Sequence, residues 1–235
     1  MKMKRNTLVL LISGLLITFI AGGVAVYFFV GEKYGGVRSA TTSLTQTINA
    51  GTLSVDIVDG SYAPVGTPSV AMSTETFSFS CGSSTGTLGT ATEQIYVQNP
   101  DNADGGWSLT IAASNPTDLW DSAGTDYDFN DPTTSGCEDG GDADSFAGQM
   151  TIDASGGTLA VGNCSSCTTT NITKGSSSAF DEGTTDSITL LTAAAGSDDI
   201  GDWTLQGVSL SQTIPPEQPA AADYSLSLTV TVAVL

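Results

Sequence analysis

The basic residues of this chain are concentrated around one apolar segment near the N-terminus. Five of its six Lys and Arg residues lie within residues 2–38, on either side of residues 8–30, and Lys174 is the only one after that. Residues 8–30 (LVLLISGLLITFIAGGVAVYFFV) carry no charge. As a helix, these 23 residues would be about 34 Å long, enough to cross a hydrocarbon core of about 30 Å. We therefore predict a single transmembrane helix here.

The flanking charges predict the orientation of this segment. Lys2, Lys4 and Arg5 precede it, and the positive-inside rule then places the N-terminus in the cytoplasm. We expect residues 1–38 to form a cytoplasmic tip, anchor and tether. Residues 39–235 should form one domain outside the cell membrane, at the cell surface. The length of the apolar run favours a retained anchor over two alternatives that stay open: a signal peptide cleaved near residue 39, and a pilin-type leader.

The composition of residues 39–235 excludes several functions. This part carries Lys174 against 24 acidic residues, the 25 of the chain less Glu32. Nucleic acid and anionic lipid surfaces are poor partners for it, since phosphate binding needs clustered Lys and Arg. The chain also has no histidine. It therefore lacks the usual general base of Ser and Cys hydrolases and the ligands of HExxH zinc sites. We expect no enzymatic activity.

Short alternating segments predict an all-β fold. Apolar residues alternate with Ser and Thr, and Gly, Pro, Asn and Asp separate the segments, which is typical of an antiparallel β-sandwich. We predict about ten strands, at residues 43–48, 51–58, 76–80, 93–99, 106–114, 148–154, 157–163, 186–193, 202–214 and 224–234.

The four cysteines point to disulfide bonds. Cys81, Cys137, Cys164 and Cys167 all follow the apolar segment and would lie in an oxidising space, where disulfides persist. Four cysteines allow three connectivities. Cys164 and Cys167 can close a small local loop, which leaves Cys81 to pair with Cys137. A redox CxxC motif is the alternative, but it normally begins a helix in a βαβ frame, and this one lies among Gly, Ser and Thr.

An Asp-rich segment is the candidate metal site. Residues 115–144 hold nine acidic side chains, and within them Asp126, Asp128, Asn130 and Asp131 alternate oxygen donors in a D-x-D-x-N pattern. Ca²⁺ takes six to eight oxygen ligands. The segment lacks the Gly and Glu of an EF-hand, so a solvated acidic loop is the alternative. We expect no other cofactor than this candidate Ca²⁺.

Two Trp-x-Leu tripeptides are the candidate binding residues. Trp107 and Leu109 form one pair, and Trp203 and Leu205 the other. Side chains two positions apart point to the same face of a strand. The preferred interpretation is that all four fill the core, because Trp buries a large area. The alternative is an aromatic platform on which a sugar stacks.

These tripeptides resemble the motifs of the WxL-domain surface proteins of bacteria. The end of the chain is also similar to that family, with Ile214-Pro-Pro followed by Tyr224-Ser-Leu-Ser-Leu-Thr-Val. The resemblance implies a non-covalently wall-attached β-rich protein, and cell-wall polymer or other surface proteins as partners. The opening, with TQTINAGTLSVDIVDG after the apolar run, is similar to camelysin/TasA-type surface and fibre proteins.

Together these features predict a membrane-anchored, acidic, non-catalytic structural protein of the cell surface. Two other functions stay open: a module that binds peptidoglycan or wall polysaccharide, and a fibre subunit that self-associates by adding strands at a sheet edge.

Overall fold

The computed structural model describes residues 16–20, 23–27, 45–49, 51–100, 105–133, 137–140, 142, 144–198 and 200–235. The chain divides into two compact units, Met1–Ile48 and Asn49–Leu235. In the first, strands β1 (Leu16–Ile20) and β2 (Gly23–Tyr27) pair antiparallel.

This pair of strands differs from the transmembrane helix predicted over residues 8–30, which stays a prediction. Within residues 8–30, the ten described residues are extended, and the others lie outside the described residues. Both segments are rich in β-branched and aromatic residues, which favour extended backbone when no bilayer surrounds them. Across the described part of the chain, no helix has the length and hydropathy needed to span a membrane.

The second unit is all-β, as predicted, and its strands form three antiparallel sheets of four. The first has the order β10 (Ser178–Ala179), β7 (Gln149–Asp153), β13 (Val208–Ile214), β4 (Gly82–Leu88). The second has the order β14 (Leu228–Val234), β6 (Trp107–Ala113), β11 (Ile188–Ala193), β9 (Ile172–Lys174). The third has the order β3 (Ser54–Val58), β5 (Gln94–Asn99), β12 (Gly201–Gln206), β8 (Thr158–Val161). This architecture is consistent with a β-sandwich.

Most predicted strands appear, with differences that have physical causes. The predicted strand at 202–214 is two strands, β12 and β13, because Gly207 adopts a left-handed φ of 74° between them. The strand predicted at 76–80 is wrong. Phe77 and Phe79 are 48% and 77% exposed and contact each other edge-to-face, so their alternation does not mark a buried face. Residues 45–48 also have no regular structure, while 43 and 44 lie outside the described residues.

In the second unit, three of the described strands were absent from the sequence prediction. The first is β4, whose residues GSSTGTL include a single large apolar side chain. The others, β9 and β10, are only three and two residues long. Apolar alternation cannot identify strands this polar or this short.

One hydrophobic core serves all three sheets. Trp107 on β6 and Trp203 on β12 come from different sheets, and their rings contact at a centroid distance of 5.5 Å. Phe129 and Phe180 pack edge-to-face at 5.2 Å beside them. The cluster also includes the buried apolar side chains Ile95, Val97, Leu109, Ile111, Met150, Ile152, Leu190, Leu191, Leu205, Val208 and Leu210.

Two disulfides brace the second unit, with the connectivity Cys81–Cys137 and Cys164–Cys167. Their Cα–Cα distances are 5.7 and 5.5 Å, within the usual range. None of the four cysteines is free. The first bridge attaches the acidic segment to the residue before β4, and the second closes a four-residue loop after β8.

We predict that truncating either core tryptophan will destabilise the protein strongly. Trp107→Ala and Trp203→Ala should each lower the free energy of unfolding by about 3–5 kcal/mol, the usual cost of removing a large buried ring. Denaturant unfolding of the full chain, followed by circular dichroism, measures this. The control is Phe79→Ala, which removes an exposed ring and should change stability by less than about 0.5 kcal/mol. Unchanged midpoints in both Trp variants would contradict the assigned core.

Candidate functional site

The acidic segment contains a carboxylate cluster that the backbone assembles. Residues 127–131 run beside residues 147–150. Asp128 N donates to Ala147 O at 2.9 Å, and Met150 N donates to Phe129 O at 2.6 Å. Gly148 makes the close approach possible with its φ of 136°, since a Cβ there would lie 2.0 Å from Asp128 O. This pairing brings the chain around residue 144 back to Asp128.

Asp128 is the buried member of the cluster, with 1% of its surface exposed. Its Oδ1 accepts hydrogen bonds from the backbone N–H groups of Phe129 (2.6 Å) and Asn130 (3.1 Å). Its carbonyl oxygen accepts one from Gln212 Nε2 at 3.0 Å. Its Oδ2 is buried and has no hydrogen-bond partner among the residues that the structure describes. The side chain is therefore held firmly while one oxygen stays unsatisfied.

Asp142 and Asp144 complete the cluster. One carboxylate oxygen from each of Asp128, Asp142 and Asp144 lies within 4.8 Å of the other two. Asp144 N donates to Asp142 Oδ1 at 3.3 Å, and Asp144 Oδ1 accepts from Phe146 N at 2.8 Å. The Oδ2 atom of Asp142 is also buried, with no partner within the described residues. Three carboxylates thus converge with two oxygens unsatisfied.

The electrostatics of the cluster favour protonated carboxyls in the absence of a cation. Burial, with the charges of Asp144 and Asp142 adding to it, raises the pKa of Asp128 to about 7. Burial also raises the pKa of Asp144 to about 6, helped by Asp142 and by the charge of Glu182. Each carboxylate disfavours ionisation of its neighbours, because like charges repel strongly at short range.

Of the four metal ligands predicted from sequence, only Asp128 belongs to this cluster. Asp126 Oδ1 instead accepts a hydrogen bond from Ser122 N at 2.9 Å. The carboxylate oxygens of Asp131 accept from Thr133 N (2.8 Å) and Gly140 N (3.1 Å). Asn130 Nδ2 donates to Pro116 O at 2.6 Å.

Sequence reasoning missed Asp142 and Asp144 as partners of Asp128. They follow it by 14 and 16 residues. The backbone pairing of residues 128 and 147 brings Asp142 and Asp144 close to Asp128. No short sequence motif predicts that pairing. The D-x-D-x-N string lies in the same segment as the cluster, but it does not include Asp142 and Asp144.

Asp202 is a buried residue of the same domain whose two carboxylate oxygens both accept hydrogen bonds. It is 7% exposed. Its Oδ2 accepts hydrogen bonds from Tyr96 OH (2.5 Å) and Asn163 N (2.6 Å), and its Oδ1 accepts from Cys164 N (2.7 Å). Both oxygens therefore have partners, unlike those of Asp128.

The Trp-x-Leu residues lie in the core. Trp107, Leu109, Trp203 and Leu205 are each no more than 1% exposed. Trp203 Nε1 donates to Thr168 O at 2.8 Å. The two tryptophan rings contact each other, so neither offers a face to a ligand in this fold. This placement agrees with the preferred interpretation of these residues as core.

The second unit also has an apolar groove between two sheet edges. Strand β3 ends the third sheet and β14 ends the second, and side chains of both line a cavity of about 590 Å³. Apolar groups dominate its walls, among them Val55, Ile57, Val70, Leu228 and Val230. Trp120 is half-buried at its side and stacks on Tyr127 at 5.8 Å.

We predict that the cluster makes the stability of the cation-free protein depend on pH. The pKa of Asp128 is about 7 in the folded state and about 3.9 in an unfolded chain, so the folded state binds the proton more tightly. Stability should therefore rise as pH falls from about 7 to about 4, and be lost as pH rises through the same range. Melting temperatures measured in chelator across this range test it.

The variant Asp128→Asn isolates this effect from the general acidity of the domain. The amide keeps an acceptor for Phe129 N and Asn130 N and removes the charge that faces Asp142 and Asp144. The pH slope should shrink in Asp128→Asn and persist in the control Asp126→Asn. Equal slopes in the two variants would contradict the assignment.

Comparison of the chain with protein-family models, with curated proteins and with solved structures finds no match. The resemblances to WxL-domain and camelysin/TasA-type proteins therefore stay predictions.

Proposed function

We propose that this chain is a membrane-anchored structural protein of the cell surface, without enzymatic activity. The observation that carries the proposal is the segregation of charge and hydropathy. Residues 8–30 are uncharged and follow three basic residues, whereas residues 39–235 hold 24 acidic residues and one Lys. Such an apolar run favours insertion, and such an acidic surface favours solubility in the outside medium.

The hydrocarbon environment of a bilayer would favour a helical conformation for the proposed anchor. A two-stranded sheet such as β1–β2 has outer edges whose N–H and C=O groups have no partner within the pair. In hydrocarbon each unsatisfied group costs several kcal/mol, whereas a helix satisfies its backbone internally. Membrane insertion would therefore favour a helix over residues 8–30.

The disulfides support a location outside the cytoplasm. Disulfides persist in oxidising compartments and are rare in the cytosol. All four cysteines of this chain are paired, one pair across 56 residues. A long-range bridge of this kind would brace a domain exposed to the surroundings, because it limits the conformations of the unfolded chain.

A structural role fits the chemistry better than wall binding through the Trp-x-Leu residues. Sugars stack on exposed ring faces, and Trp107 and Trp203 are 1% and 0% exposed. The chain also offers no histidine as a general base, and its thiols are bonded.

We predict that the full chain resists extraction from membranes by carbonate and keeps its N-terminal residues. The variant Leu15→Lys/Phe19→Lys should shift the protein to the soluble fraction, since each Lys near the helix centre costs about 2.5–3.5 kcal/mol on insertion. The control Ser39→Lys/Thr41→Lys adds the same charge in the tether and should stay membrane-bound. A mature N-terminus near Ala40, found by mass spectrometry, would contradict the anchor.

A second candidate function, a fibre subunit that assembles by strand addition, is favoured by the groove between β3 and β14. Strand β14 lies at a sheet edge, where an added strand can pair with it. It has the sequence LTVTVAV, without the charges or Pro that usually protect an edge. Strand β3 lies at the edge of the third sheet, where Ile57 O already accepts a hydrogen bond from Val65 N. The groove beside both strands has a volume of about 590 Å³.

The occupant we propose is residues 43–48 of a second copy. Residues 39–55 carry no charge, and residues 43–48 (SLTQTI) alternate apolar and polar side chains as a strand does. Residues 45–48 have no regular structure and are exposed, with Ile48 at 86%. This segment can therefore supply a strand whose apolar side chains enter the groove.

We predict that Ile48→Asp weakens self-association of the full chain, because it places a charge on the added strand. Sedimentation and electron microscopy of the protein in detergent measure this. Ile200→Asp is the matched control, since Ile200 is also exposed, at 55%, and does not line the groove. Equal assembly in both variants, or a monomeric wild type at all concentrations, would exclude this candidate.

A further inference from the structure

We propose that Asp128, Asp142 and Asp144 bind one Ca²⁺ ion, which fixes the acidic segment onto the β-domain. This inference concerns the second unit alone and does not depend on where the cell displays it.

The unsatisfied oxygen of Asp128 favours a bound cation. The residue is 1% exposed, and its Oδ2 has no hydrogen-bond partner among the described residues. A buried carboxylate without compensation is strongly unfavourable, so buried charges are paired or coordinate a metal. Asp202 shows that this fold satisfies a buried carboxylate with three donors where no ion is needed. Asp128 receives donors on one oxygen only, which leaves the other as a ligand.

The cluster also lacks a positively charged side chain to balance its carboxylates. Asp142 Oδ2 is also buried without a partner in the part of the chain that the structure describes, so the orphaned oxygens come from two residues. No Lys or Arg side chain follows residue 38 except Lys174. Lys174 Nζ donates to Gly157 O and interacts with Asp153, not with the cluster. A bound cation would supply the positive charge that the sequence does not.

The geometry fits Ca²⁺. Its oxygen ligands lie at about 2.3–2.6 Å, so two ligands of one ion are at most about 5 Å apart. The three carboxylate oxygens lie within 4.8 Å of one another. Ca²⁺ accepts irregular arrangements and mixed ligands, whereas Mg²⁺ needs near-ideal octahedral geometry at 2.0–2.1 Å. A site of three aspartates from one loop suits the larger ion, with water completing its coordination.

Binding would join two stretches of chain at defined points. Asp128 is fixed by its backbone bonds to Ala147 and Gln212. Asp142 and Asp144 lie on the other stretch, where Asp144 Oδ1 accepts a hydrogen bond from Phe146 N. The ion would therefore join this stretch to Asp128.

Calorimetric titration of the purified full chain in detergent with CaCl₂ tests the proposal. We expect one site per chain with a dissociation constant of about 10⁻⁴–10⁻³ M, the range of extracellular calcium modules. Binding should survive 0.5 M NaCl, which screens diffuse attraction to an acidic surface. MgCl₂ should bind more weakly. Near-UV circular dichroism confirms that each variant is folded.

Three variants locate the site. Asp128→Asn and Asp142→Asn should each weaken Ca²⁺ binding at least tenfold, since each removes a charged ligand. Asp126→Asn removes the same charge from the same segment and should leave binding unchanged. Asp142 is half-buried, so its variant keeps the test valid if Asp128→Asn does not fold. No saturable binding below 10 mM, or equal binding by Asp126→Asn and Asp142→Asn, would overturn the proposal.

Discussion

The three sheets of residues 51–235 depend on a hydrophobic core that they share. Each sheet has only four strands, and β9 and β10 are too short to bury much surface alone. Contact between Trp107 on β6 and Trp203 on β12 joins the second and third sheets, and the one-residue connection at Gly207 joins β12 of the third sheet to β13 of the first. A small four-stranded sheet needs another layer against which to bury its apolar face, so the sheets stabilise one another.

This core also determines where burial of a polar group costs free energy unless hydrogen bonds compensate for it. Burial of Asp202 beside β5 and β8 is balanced by hydrogen bonds to both carboxylate oxygens. Burial of Asp128 beside Phe129 and Gln212 is balanced on one oxygen alone. The acidic surface of the domain is solvated and needs no partner, but these two carboxylates lie inside. The difference between them is what turns an acidic loop into a candidate cation site.

The sequence predicted the features that local chemistry controls. Alternation identified β5, β6, β7, β11 and β14, where apolar side chains face the core at every second position. The spacing of Cys164 and Cys167 suggested their bond, and the Cys81–Cys137 pair followed from it. Features that depend on distant contacts were not predictable. The alternating Phe77 and Phe79 look like a strand, but both are exposed and their rings contact each other. Strand β4 has almost no apolar pattern. Asp142 and Asp144 join Asp128 only through backbone pairing that the fold imposes.

Native-state hydrogen exchange of the full chain tests the shared core most directly. The amides of Leu109, Leu205 and Leu210 lie in central strands of the second, third and first sheets. If one core holds all three sheets, these amides should exchange only through global unfolding, with the same free energy of opening and the same dependence on denaturant. A lower opening free energy for one sheet would show that it unfolds independently, and would contradict the account.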